Sequence, residues 1–233
     1  MELKWNAPLP RSTRFQSILL GLLFTLEAIL HPACNPPATV DLAASDLDVK
    51  ITVIDTDKNP SDHKVPIVMQ FFTNGKFVQL ASNATVTCNG VALSWNGLGY
   101  AQRVPIVATG GAYSCRHQRN NVTATANATV PARPVITSPT PGATVTRSNS
   151  LTIAYQPDGG TGVRGGAGDG STGLSGNVQA DNGSFTGFDV STLKAGPGTV
   201  SITREFTFTP PNGGFKSVEV KYSAGSDVNV TWN

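Results

Sequence analysis

Apolar and polar residues alternate strictly from Val122 to Val130. Val122, Ala124, Ala126, Ala128 and Val130 take one side of the chain, and Thr123, Thr125, Asn127 and Thr129 the other. A period of two over that length predicts a half-buried β-strand. The same pattern recurs at Leu47-Val49-Ile51-Val53 and at Val65-Ile67-Met69-Phe71. Asn74-Gly75 and Asn89-Gly90 supply the positive-φ pair of a type I′ turn. They predict hairpins joining Val65–Phe71 to Phe77–Leu80 and Thr85–Cys88 to Val91–Ser94. Tyr100–Val107 and Ala112–Gln118 bring this half of the chain to about seven or eight strands.

Four prolines then fall close together, at Pro131, Pro134, Pro139 and Pro141. Proline lacks an amide donor and fixes φ, so the alternation ends here and a stiff connector is expected. Beyond it the period of two resumes at Leu151-Ile153-Tyr155 and runs longest over Thr199–Thr209. Phe215–Tyr222 and Val228–Trp232 follow. Between them Asp158–Gly176 is about half glycine, and glycine loses the most backbone freedom on ordering. That stretch is expected to be a mobile loop.

The pattern therefore predicts an all-β protein of two antiparallel β-sandwiches in tandem, with domains at 46–131 and 132–233. Composition agrees: 24 glycines, 16 prolines and only 14% charged residues, with 39% apolar residues to fill two cores. Low charge with that apolar content argues for folded sandwiches and against disorder.

The first 33 residues change the picture. Lys4, Arg11 and Arg14 precede the apolar run Ile18–Leu26, the layout of an export signal. The run is shorter than the about 20 residues a spanning helix needs. Residues 34–45 are then expected to be a tether. Ala33-Cys34 at the end of this segment resembles the lipobox of bacterial lipoproteins. The resemblance implies a lipid on Cys34, a membrane partner through that anchor, and a place at the cell envelope or its extracellular face. Net charge is +2 for the chain, and removing residues 1–33 takes three basic and two acidic groups and leaves +1. No basic stripe interleaved with aromatics is present, which argues against nucleic acid as a partner.

Three cysteines become one plus two if Cys34 carries the lipid. Cys88 and Cys115 both fall in predicted strands and can pair in an oxidising compartment. Tyr113-Ser114-Cys115 resembles the Y-x-C of an immunoglobulin tyrosine corner. Pro134–Tyr155, with its SP-x-x-G-A-T-V turn at Ser138–Val145 and alternating LTIAY, resembles the opening strands of bacterial immunoglobulin-like and fibronectin-III-like surface modules. That resemblance implies immunoglobulin-like sandwiches and no particular function.

Candidate chemistry is sparse. Asp55-x-Asp57-x-Asn59 spaces oxygens as calcium loops do, but Pro60 and Pro66 occupy positions where such a loop needs glycine and glutamate. Cys115 and His117 share a strand face without the paired spacing of a zinc module. Two G-x-G-x-x-G matches in the glycine-rich stretch lack the helix a dinucleotide site needs. Asp62-His63 has no evident nucleophile beside it, and no catalytic motif or cofactor site is found. For sugar stacking the aromatic candidates are Trp95, Tyr100, Phe185 and Phe188. The expectation is a surface module that is structural or adhesive, without catalysis. A module binding carbohydrate or a wall polymer, with Trp95 and Tyr100 as ligand residues, is the alternative.

Overall fold

The computed structural model of the protein describes residues 38–56, 62–148 and 150–233. The export signal, Cys34, Asp57 and Asn59 lie outside them. The described residues are almost entirely β, with one 3-10 turn at Ala44–Asp46. Both predicted Asn-Gly turns form, with Asn74, Gly75, Asn89 and Gly90 all at positive φ.

The first core lies between two sheets. One carries Lys64–Thr73 next to Asp48–Asp55, with Lys76–Leu80 and Tyr100–Pro105 along its other edge. The other is a four-stranded sheet of Val122–Thr129, Ala112–Arg119, Ala84–Cys88 and Val91–Ala92. The alternating apolar residues point inward as the period of two requires, except Val122, which is 66% exposed at the start of its strand. Val65, Ile67, Met69 and Phe71 from one sheet meet Val86, Ala124, Ala126 and Ala128 from the other, all buried. Ala38–Val40, in the expected tether, adds a short strand parallel to Lys76–Leu80. Ala44 is buried in the same core, so Ala38–Val40 and Ala44 belong to the first sandwich rather than to a free tether.

The long C-terminal hairpin joins the two halves. Gly196–Phe208 pairs with Ser217–Trp232 over thirteen consecutive residues. At about 3.3 Å per residue the second strand is about 50 Å long. Its first half, Ser217–Ala224, runs parallel to Asp48–Asp55 in eight register pairs. Phe215, Val218, Val220, Tyr222 and Ala224 therefore fill the first core, whereas Val228, Val230 and Trp232 fill the second. One continuous eleven-stranded sheet results, and it is mixed rather than purely antiparallel. The first core draws on both sides of residue 131, because 215–224 return to it and Phe206 and Phe208 pack against it. The turn of this hairpin also reaches the edge strand Val122–Thr129, through a hydrogen bond from the Thr125 amide to the Gly213 carbonyl of 2.9 Å.

The second core is closed by a three-stranded sheet of Ile136–Ser138, Leu151–Tyr155 and Ser184–Phe188. Opposite it runs the stretch expected to be a mobile loop, and the structure corrects that expectation. Gly162–Gly168 is a strand within the large sheet, paired to Gly196–Phe208 on one side and to Gly173–Ser175 on the other. Its glycines let neighbours approach the backbone. A Cβ at Gly165 would lie inside van der Waals distance of the Phe185 ring, one at Gly176 would lie 2.5 Å from the same ring, and one at Gly162 2.6 Å from Val178. Sheet hydrogen bonds and the ring laid on the backbone offset the entropy that argued for slack.

Two buried ionic groups mark the junction of the cores. Arg204 and Asp181 are each 1% exposed and form an ion pair of 2.9 Å. Arg204 also donates to the Gln156 carbonyl and lies 5.8 Å from the Tyr155 ring. On the other flank Arg133, in the proline-rich connector, pairs with the buried carboxylate of Asp55 and donates to the Gly225 carbonyl over 2.9 Å. Tyr222 donates to the same Asp55 over 3.0 Å. Charges buried at such a place are tolerated because each is paired and hydrogen-bonded.

Candidate functional site

Two turns set the site. The Asn74-Gly75 turn places Phe72 directly opposite Phe77, and the short loop after Trp95 folds it back opposite Tyr100. Directly opposed residues in an antiparallel pair share a face, so each turn brings two rings together. The rings then touch in a chain: Phe72 to Phe77 at 5.6 Å, Phe77 stacked on Trp95 at 5.6 Å, and Trp95 to Tyr100 at 5.3 Å. Tyr100 continues into the core with an edge contact to Phe71 at 5.7 Å. Phe72, Phe77 and Trp95 are half-buried, and Leu98 beside them is 46% exposed. Gln70 fixes the Leu98 loop, donating to its carbonyl over 2.8 Å. The Lys50 ammonium lies 5.5 Å from the Phe72 ring centre, and Lys76 is exposed at the turn. The result is an aromatic ridge with lysines at its rim.

Trp95 and Tyr100 are thus brought together as the sequence suggested, but in different roles. Tyr100 turns inward. Its hydroxyl accepts from the Leu80 amide at 3.0 Å, and burial pushes its pKa up. Phe185 and Phe188 are corrected outright, since both are buried in the second core against each other, 5.8 Å apart. Sequence reading missed Phe72 and Phe77. The signal was present in the predicted hairpin register, which pairs them across Asn74-Gly75.

The remaining candidates are structural. Cys88 and Cys115 lie directly opposite in neighbouring antiparallel strands and form a disulfide, with Cα atoms 4.0 Å apart. The loop it closes is worth about 3.6 kcal/mol in the chain-entropy treatment. Tyr113, two residues before, is buried and its hydroxyl accepts from the Val107 amide at 3.1 Å, the backbone bond its resemblance to a tyrosine corner implies. Asp55, from the calcium candidate, has its carboxylate engaged by Arg133 and Tyr222; Asp57 and Asn59 lie outside the described residues. No cluster of three or more metal-ligating side chains occurs among the described residues. Asp62 is held by Arg103 through contacts of 2.7 and 2.8 Å. That bond, with lesser help from the Lys64 amide, holds its pKa down at about 2, a carboxylate committed to its partner rather than to His63.

His117 stands apart. It is 2% exposed, and neither ring nitrogen has a hydrogen-bond partner. Phe71 and Phe215 pack against it at 5.8 and 6.3 Å. Burial, with a smaller contribution from Arg119, lowers its pKa, so the imidazole is held neutral.

No protein-family model and no characterised protein sequence matches the chain. Among solved structures it is similar to the fibronectin(III)-like modules of Clostridium thermocellum CbhA. The identity is 12% over 76% of this chain and 93% of that one, with a TM-score of 0.22. It is also similar to immunoglobulin domains 1–4 of Sidekick-1, at 12% identity over 82% and 48% and a TM-score of 0.22. A third likeness is to the Bacteroides ovatus mixed-linkage glucan utilization locus protein SGBP-B in complex with a mixed-linkage heptasaccharide, at 10% identity over 87% and 68% and a TM-score of 0.24. At such scores the likenesses assign neither family nor function, and the all-β fold rests on the sheets themselves.

Proposed function

We propose that the protein is an exported, membrane-anchored surface module without catalysis, in which the two sandwiches act as one stiff body. The shared C-terminal hairpin carries this reading. Two cores threaded by one hairpin have no free hinge between them, which suits a spacer or adhesion unit holding loops away from a surface. The polar side chains that are buried serve packing, as the Arg204–Asp181 and Arg133–Asp55 pairs illustrate. The anchor and the export route rest on Cys34 and the segment before it.

The test is fractionation with surface labelling. The full chain, expressed in its source cells, is expected in the membrane fraction. An impermeant amine reagent applied to intact cells is expected to label the exposed Lys194, Lys216 and Lys221. Cys34→Ala is expected to release the protein into the soluble fraction. Unlabelled protein recovered from the cytosol would overturn the reading.

The aromatic ridge also allows a second reading, a site for a carbohydrate or wall polymer built on Phe77 and Trp95. Titration with soluble polysaccharides would then change tryptophan emission, and Trp95→Ala would abolish the change.

A further inference from the structure

We infer that the aromatic ridge of Phe72, Phe77, Trp95 and Leu98 is a membrane-seating surface, engaging the bilayer to which the chain is tethered; this rests on the anchored reading above. Three observations carry it. First, the connection is short. Ala38, the first of the described residues, is already in a strand and stands four residues after Cys34, and four residues span at most about 14 Å. Second, that strand lies beside the ridge. Ala38 stands opposite Val78, the neighbour of Phe77, in the strand that follows the Asn74-Gly75 turn. A lipid on Cys34 therefore holds this corner of the first sandwich within one short extension of the bilayer surface.

Third, the chemistry of the ridge fits the interfacial layer of a bilayer better than it fits a sugar. A sugar stacks on an open ring face. Here Trp95 is already stacked on Phe77, and the Phe72 ring has the Lys50 ammonium beside it. A bilayer interface requires no open face. It takes aromatic edges and an exposed aliphatic tip such as Leu98, with Lys76 reaching to the headgroups while Lys50 stays paired to Glu219 over 3.6 Å. The patch is too small to hold a soluble protein on a membrane unaided. Anchored nearby, it works at the high effective concentration that a short linker provides. Its role is orientation: with the ridge down, the first sandwich lies against the membrane and the second is carried on the stiff hairpin.

The experiment uses the full-length protein isolated from membranes and reconstituted into vesicles of phosphatidylethanolamine and phosphatidylglycerol at three to one. Part of the lipid carries brominated acyl chains, which quench tryptophan on contact. Comparison with Trp95→Phe isolates the emission of Trp95 from that of the chain's other tryptophans, Trp232 in the second core and Trp5 where the first segment is retained. Quenching is expected in the wild type, lost in Trp95→Phe, and much reduced in Leu98→Glu, a substitution at an exposed loop position that leaves the fold intact. In each case the protein remains vesicle-bound through its anchor. A vesicle-bound wild type whose Trp95 emission is unquenched would overturn the membrane surface while leaving the anchor standing. A Trp95 response to polysaccharide without lipid quenching would do the same and return the ridge to carbohydrate. A wild type that fails to stay with vesicles would remove the anchored reading and this inference with it.

Discussion

The two sandwiches are filled by different means. The first packs side chain against side chain: Ile51, Val53, Ile67, Met69 and Phe71 meet small residues of the facing sheet, and a disulfide ties two strands of that sheet. The second packs ring against backbone: Phe185 lies on Gly165 and Gly176, and the strand of Gly162–Gly168 contributes little but Val163 and Ala167 to its core. Side-chain packing writes itself into the sequence as alternation. Ring-on-backbone packing writes a glycine run, the same signature as a flexible loop. The contrast ends at the C-terminal hairpin, which belongs to both cores.

The strongest way to break that comparison is to separate the halves. Cutting between Ala132 and Arg133 takes Phe215, Val218, Val220 and Tyr222 out of the first core, each burying a side chain worth about 1.5–3 kcal/mol. We expect fragment 38–132 to lack dispersed amide resonances and fragment 133–233 to aggregate through the uncovered half of its hairpin. A well-dispersed spectrum from 38–132 alone would show the hairpin to be dispensable to the first sandwich.

Next in size is the junction. Arg204→Met should leave the Asp181 carboxylate buried without its partner, at a cost of about 3–5 kcal/mol in urea denaturation. Adding Asp181→Leu should restore most of the loss, because the desolvated charge is then gone. Failure of the double variant to recover would mean that the pair does more than balance charge.

Gly165→Ala sharpens the contrast between packing modes. The added methyl meets Phe185, which is 1% exposed and hemmed in by Phe188. Overpacking of this kind costs about 1–3 kcal/mol, and Phe185→Leu in the same chain should recover part of it. A neutral Gly165→Ala would return the stretch to the slack its composition suggests.

The smallest effect is confined to the first sandwich. His117 faces Val86 and Ala124 across its neighbouring strands, with Phe71 and Phe215 over the ring. The charge near it is Arg119, itself ion-paired to Asp41. Burial disfavours a proton there and Arg119 adds to the effect, so the folded-state pKa is lowered. The unfolded chain then binds the proton first. Stability from this group is full above about pH 6.5 and is lost as pH falls toward the lowered value. Chemical denaturation as a function of pH should show that decline, and His117→Phe should flatten it.

Alternation in Leu47–Val53, Val65–Phe71 and Val122–Val130, with two Asn-Gly turns, determined the strands and faces of the first core, because each is a local property of a half-buried strand. The pairing of Cys88 with Cys115 was open to the same reading, since the intervening hairpins bring their strands together. Phe72 and Phe77 were legible only once a turn register was trusted enough to place opposed rings. Three things were decided by tertiary structure alone. The glycine strand is ordered because a sheet and a phenyl ring receive it. Asp55, Arg133 and Tyr222 converge from positions far apart in the chain because the connector folds onto the end of a parallel pair. The last strand serves two cores because its alternation keeps one register past Gly225, where the absence of a side chain admits the Thr56 backbone. Sequence specifies which face of a strand is apolar; it takes the assembled sheets to say which core that face meets.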